Sequence, residues 1–262
     1  MKPLVAPDAP PRLLGVRNFR DIGGLGTTDG RRIRHGVVFR SGHFGAATPE
    51  DLRVLQNLDL ERIDLRTSAE IALEDEPGGA RPASVGVEYA SIDDAMWLAV
   101  RTGDLDRIDP ALTAVGSEQA MLRLYRGSIA HNVGLYRSWF DRLSRATTPV
   151  VVHCSAGKDR TGWAIATLLT VLGVADDQIM ADYTASSDPD RQYVIRDRAG
   201  NPVTPTVAQA AVIAPLNEAR PHYLNAAWAE VATHWGGHET YLGVALGLDA
   251  ARAHALRERL LY

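Results

Sequence analysis

The chain has 262 residues, 45% hydrophobic and 23% charged, which suits one α/β domain spanning 1–262 with a full-sized core. A net charge of −4 leaves no basic field for nucleic acid or an anionic membrane surface, and no stretch reaches the roughly 18 apolar residues of a membrane span. A single cysteine, Cys154, excludes internal disulfides and multi-cysteine zinc sites.

Residues 1–16 read as a Pro-rich leader without periodicity. Met1–Pro11 holds no apolar run of signal-peptide length, so a cytoplasmic location is the default and export without a signal peptide stays open. Asn18-Phe-Arg-Asp-Ile-Gly-Gly24 is polar and ends in a turn, and Val37–Phe39 is a short β-like run. Thr48-Pro49-Glu50-Asp51 starts a helix, with Thr48 as N-cap, Pro49 at the first position and Leu52, Leu55 and Leu58 as an apolar face. Arg62–Arg66 and residues 85–92 read as strands, and the pattern then weakens over 93–127, as in a lid or insertion. Ser128 is placed to cap a helix carrying Ile129, Val133, Tyr136, Phe140 and Leu143. Pro149 opens a buried strand, Val150–Val152, and Trp163–Leu172 is a helix stopped by Gly173. Asp176–Ser186 reads as helical, 188–215 as a second mobile segment, and 216–262 as two or three closing helices. Strands alternating with helices predict a parallel sheet with crossover helices, whose ligands bind at the C-terminal strand ends.

That edge is where His153-Cys-Ser-Ala-Gly-Lys-Asp-Arg160 falls. Gly157 permits a backbone conformation closed to other residues, so backbone N–H groups from Ser155 to Arg160, Ala156 and Lys158 included, can converge on one tetrahedral anion beside a positive helix end. Arg160 adds a bidentate fork to phosphate oxygens, and the same field favours a thiolate on Cys154. A nucleotide-binding P-loop is excluded, because Val152 and Asp159 stand where that motif needs Gly and Ser or Thr.

His153–Gly162 resembles the signature loop of cysteine-dependent protein-tyrosine phosphatases, in the Ala-Gly-Lys-Asp-Arg form of the atypical bacterial, mycobacterial PtpB-like branch. Asn18–Gly24, Phe39-Arg-Ser-Gly42, Asp64-Leu-Arg66 with Glu70, Asp182-Tyr183 with Ser186, and Tyr241–Leu248 resemble that branch in order, over roughly 13–261. The resemblance implies a phosphatase fold in which a central, mainly parallel sheet is flanked by helices with helical lid-like insertions. It further implies hydrolysis of phosphate monoesters without metal or other cofactor, on phosphotyrosine proteins or, alternatively, phosphoinositides. Cys154 would be the nucleophile, Arg160 the phosphate clamp, Thr161 a hydroxyl donor to the departing thiolate, and His153 a support of the loop.

No Trp-Pro-Asp sequence supplies the general acid, so Asp159 is the first expectation and Asp64, ending its strand at the site, the substitute. Of the 28 basic residues only Lys2 and Lys158 are lysines, and Lys158 is expected to point outward to a second anionic group. Arg20, Arg40 and Arg66 are expected to brace the loop or line its mouth, with Asp21 satisfying local backbone groups. Arg66 and Glu70 are spaced for an incidental helical ion pair. The eight histidines show no ligand spacing, and the oligomeric state is left open.

Overall fold

The structure is a computed structural model that describes residues 12–73, 94–197 and 199–262. In chain order the elements begin with strands β1 (Arg20–Asp21) and β2 (Val38–Ser41), helix α1 (Pro49–Leu58), strand β3 (Glu61–Asp64) and helix α2 (Ser68–Leu73). Helices α3 (Asp94–Thr102), α4 (Ala114–Leu124) and α5 (Val133–Arg145) precede strand β4 (Val150–His153). Then come α6 (Asp159–Leu172), α7 (Asp176–Thr184), α8 (Val207–Asn217), α9 (Pro221–Trp235), the single turn α10 (His238–Thr240) and α11 (Ala250–Leu260).

The four strands form one sheet in the order β1-β2-β4-β3. β4 runs parallel to both β2 and β3, and β1 pairs antiparallel at the edge. The sequence reading missed β1, since two residues are too few to show an alternation. Ser41, His153 and Asp64 share one row across the three parallel strands, so Cys154 leaves the sheet at the C-terminal edge of its neighbours. β-Branched Val150–Val152 is buried on both faces. Val150 and Val152 enter the main core with Trp139, Phe140 and Leu168. Val151 enters a smaller one with Leu13, Val16, Phe39 and Phe44.

α1 starts as expected, with a capping box between Thr48 and Asp51. It packs on the smaller core through Val54 and Leu55 rather than through an evenly spaced leucine face. Asp51 also accepts from the Leu14 and Gly15 amides, both at 2.7 Å, which pins the end of the leader to the helix. The strand expected over Arg62–Arg66 ends at Asp64, leaving Arg66 in the following loop. Ser128 is not the N-cap of α5: it lies inside a π-helical turn, Tyr125–Ile129, that continues α4, and α5 begins only after Asn132. The π turn absorbs an extra residue and buries Tyr125 and Ile129 together, a register shift that a 3.6-residue pattern hides. α6 starts at Asp159, four residues before the expected Trp163, and ends at Gly173 in the left-handed conformation.

Of the two segments read as lids, 94–127 is largely helical. The segment 188–215 contains an Arg196–Pro202 bridge and most of α8, which Thr206 and Gln209 cap. The strand expected over 85–92 lies outside the described residues. Among the described residues no helix is long and apolar enough to cross a membrane.

Candidate active site

The loop between β4 and α6 is shaped by braces from outside. Gly157 has φ +68, and a Cβ there would stand 2.3 Å from the Ser41 carbonyl oxygen, so the position requires glycine. Three successive loop carbonyls are bonded outward. The Ser155 carbonyl accepts from the His43 amide (2.9 Å), and that of Ala156 from Asn18 Nδ2 (3.3 Å). The Gly157 carbonyl accepts from Asn18 Nδ2 and Arg40 Nη2, both at 2.8 Å. In trans peptides the N–H points opposite to the preceding carbonyl, so the amides of Ala156, Gly157 and Lys158 face the inner side of the loop. That side has the geometry of the anion cradle expected from the sequence.

Arg40 and Arg20 converge on Asp182 of α7. Arg20 Nε donates to Asp182 Oδ1 at 2.9 Å, and Arg40 Nη1 donates to Oδ2. Burial pushes the Asp182 carboxyl up, but the two guanidiniums outweigh it and hold the group below its ordinary range. Arg20 also donates to Asn18, which stands at φ 58. Arg40 therefore braces the loop directly through the Gly157 carbonyl, and Arg20 does so through Asn18 and Asp182. Asp21 accepts from the Gly23 and Gly36 amides, each at 2.8 Å, as expected of a local backbone partner.

Cys154 is buried at the base of the loop. His153, fully buried beside it, donates from Nδ1 to the Cys154 carbonyl (3.3 Å) and sets its ring edge-on to Phe44. Arg160 makes a two-pronged pair with Glu70, Nη1 to Oε2 and Nη2 to Oε1, both 2.6 Å, and Nη1 donates to the Leu65 carbonyl (3.0 Å). Glu70 also accepts from Ser155 Oγ (3.1 Å) and Arg101 Nη1 (3.3 Å), and Arg101 Nη2 donates to Ser155 Oγ at 2.6 Å. Burial raises the Glu70 carboxyl, but Arg160, then Arg101 and the Thr67 amide, hold it far below its ordinary 4.5. Glu70 thus aims the fork of Arg160.

The incidental Arg66–Glu70 helical pair does not form. Arg66 precedes α2, so no helical turn stacks the two side chains. Arg66 instead clamps Asp64, with Nη2 to Oδ2 at 2.6 Å and Nε at 3.0 Å. Asp64 is buried, and His153 and Arg66 outweigh that burial to keep it ionised.

Lys158 is the clearest departure from expectation. It is buried rather than outward-pointing, its ammonium donates to the carbonyls of Leu216 and Glu218, and Asp159 Oδ1 lies 3.4 Å away. The two carbonyls at the end of α8 and the Asp159 carboxylate offer it three acceptor directions that a planar guanidinium would fit poorly, which explains lysine here. Asp159 Oδ1 accepts from the Tyr125 hydroxyl (2.7 Å), which lies 2.7 Å from that of Tyr183. Burial, with the Asp159 charge, pushes both phenols well above 10, so they stay neutral. Thr161 Oγ1 is buried and has no hydrogen-bond partner among the described residues.

A cleft of about 430 Å³ opens over Ser155, with Arg17, His43, Arg101, Tyr193 and Arg196 on its walls. Burial, followed by Arg66 and Arg101, drives His43 down to about 3, so it is a neutral wall residue. Sequence reasoning overlooked Arg101, His43, Tyr125 and Asn18 as parts of this site. Asn18 alone carried a local signal, a residue tolerant of the left-handed conformation in a polar run.

Similarity to known proteins agrees with this geometry. The chain is 34% identical over 250 residues, 92% of its own length and 86% of the relative's, to a protein of Cupriavidus necator whose name assigns it provisionally as a tyrosine-protein phosphatase. It is 29% identical over 280 residues, 95% of its length and 98% of the relative's, to the triple specificity protein phosphatase PtpB of Mycobacterium tuberculosis. Residues 11–262 match the sequence profile of the tyrosine phosphatase family, and this chain belongs to that family of protein-tyrosine phosphatase hydrolases.

Proposed function

We propose that the chain, acting as one phosphatase domain, hydrolyses protein phosphotyrosine through a phosphocysteine on Cys154. The observation that carries this reading is the braced loop: three inward amides and an aimed Arg160 surround the one cysteine. In the first step the Cys154 sulfur attacks phosphorus and the tyrosine oxygen leaves with a proton from Asp159. In the second, water attacks the phosphocysteine, Asp159 takes up its proton, and phosphate leaves. The inward amides and Arg160 stabilise the equatorial oxygens in both transition states. The Thr161 hydroxyl, unpartnered among the described residues, suits a donor to the thiolate as it departs.

Asp159 is favoured over Asp64 as the acid, because Arg66 bonds both carboxylate oxygens of Asp64, whereas among the described residues the contacts to Asp159 fall on Oδ1 and leave Oδ2 open to substrate. Two features support a second reading, phosphoinositide hydrolysis at the same site. The cleft carries Arg17, Arg101 and Arg196, which suit additional phosphates, and the mycobacterial relative is named for triple specificity. Turnover of phosphotyrosine peptides and phosphoinositides, measured side by side in EDTA, tests both. Higher kcat/KM on the peptides supports the first reading, higher kcat/KM on the lipids the second, and metal-dependent turnover contradicts both.

A further inference from the structure

Histidines without ligand spacing in the sequence are brought together by the fold on the side of α9. Glu230 and His234 stand one turn apart on that helix, and His131 reaches them from the residues joining the π turn to α5. One ligand atom from each lies within 4.8 Å of the others. His131 Nε2 is 2.8 Å from Glu230 Oε1. The imidazole of His234 makes only ring contacts among the described residues: to His131, centroids 4.7 Å apart, and to Trp235 at 4.4 Å. Trp235 also packs on His131 at 4.7 Å, so one indole walls both imidazoles.

We propose that His131, Glu230 and His234 form a binding site for a zinc-type divalent cation, separate from the catalytic loop. Two imidazoles and one carboxylate are a three-ligand set for tetrahedral zinc, with the fourth position left to water or another donor. Ligand atoms around such an ion stand about 3.3 Å apart, given bonds of about 2.0–2.1 Å. The 2.8 Å pair must open slightly and the widest pair close by rotation of side chains that are partly exposed, so the ion can enter from solvent. A carboxylate next to two imidazoles also offsets the ion's charge better than histidines alone.

The ion would fasten α9 to the chain just past the π turn. A second tie already exists there: the Tyr241 hydroxyl donates to the Ala130 carbonyl at 2.9 Å, and Tyr241 packs on Trp235. Binding should therefore raise thermal stability, because an unfolded chain does not hold these three groups together.

The test uses untagged full-length protein carrying Cys154→Ser, which removes the thiolate as a competing zinc ligand. Titration calorimetry with ZnCl2 should give one ion per chain and a rise in Tm, and Co2+ should give absorption of tetrahedral character. His234→Ala and Glu230→Gln, each added to that background, should weaken zinc binding by at least about tenfold and abolish the rise. In the chain retaining Cys154, His234→Ala should leave p-nitrophenyl phosphate turnover in EDTA unchanged. Equal zinc affinity in parent and variants, or no binding below millimolar zinc, would overturn the proposal.

Discussion

Glu70→Gln isolates the pairing that aims Arg160. The substitution keeps the shape and one acceptor oxygen but removes a charge shared by Arg160 and Arg101. Breaking a buried ion pair costs about 3–5 kcal/mol when the other charge is stranded. Glu70 is 17% exposed at the side chain and glutamine still accepts one bond, so the expected loss is about 2–3 kcal/mol. At about 2–4 °C per kcal/mol for a chain of this size, Tm falls by about 4–12 °C.

Two further readouts follow from the same geometry. Saturating phosphate or vanadate should shrink the deficit, because the anion gives Arg160 new acceptors. The carboxyl is held below 4.5 in the fold, so its contribution is fully present above that value and lost as pH falls beneath it. The gap between parent and variant should therefore narrow below about pH 4.5, the ordinary value of the group. Melting curves from pH 7 to pH 3, with and without phosphate, measure all three. A deficit under about 0.5 kcal/mol, or one indifferent to both anion and acid, would refute Glu70 as the partner that aims Arg160.

Asp159→Asn should slow phosphotyrosine peptides far more than p-nitrophenyl phosphate, whose leaving group needs less protonation, and flatten the basic limb of the pH profile; equal slowing with the limb intact would move the acid elsewhere. Lys158→Ala should cost about 1–3 kcal/mol in urea unfolding by stranding the carbonyls of Leu216 and Glu218, and should lower activity on phosphopeptides and phosphoinositides by the same factor. Loss confined to the lipids would instead restore a substrate contact. Gly157→Ala should abolish phosphate binding in calorimetry, since its Cβ would meet the Ser41 carbonyl at 2.3 Å and its φ of +68 is closed to alanine.

The parts of the site legible in the sequence are those built from consecutive residues. Val150–Val152 announces a buried strand, Gly157 a turn and Thr48–Asp51 a capped helix, because each rests on local backbone preference. The partners of those parts were not legible. Arg101 and Tyr125 come from a stretch of weak pattern, and nothing local ties them to Ser155 or Asp159. The Arg66–Glu70 expectation failed because a spacing of four means contact only inside a helix, and α2 starts at Ser68. Lys158 misled for a related reason: a charged residue in a loop is usually solvated, and only tertiary contact with the end of α8 shows it buried.

Covalent trapping of the intermediate tests the central claim most directly. Enzyme turning over a phosphotyrosine peptide in EDTA is quenched in acid, digested and read by mass spectrometry, with Cys154→Ser as the control. One phosphoryl group on Cys154, absent from the control together with turnover, is the predicted result. A phosphoryl group on any other residue, or turnover retained by the control, would contradict catalysis through Cys154.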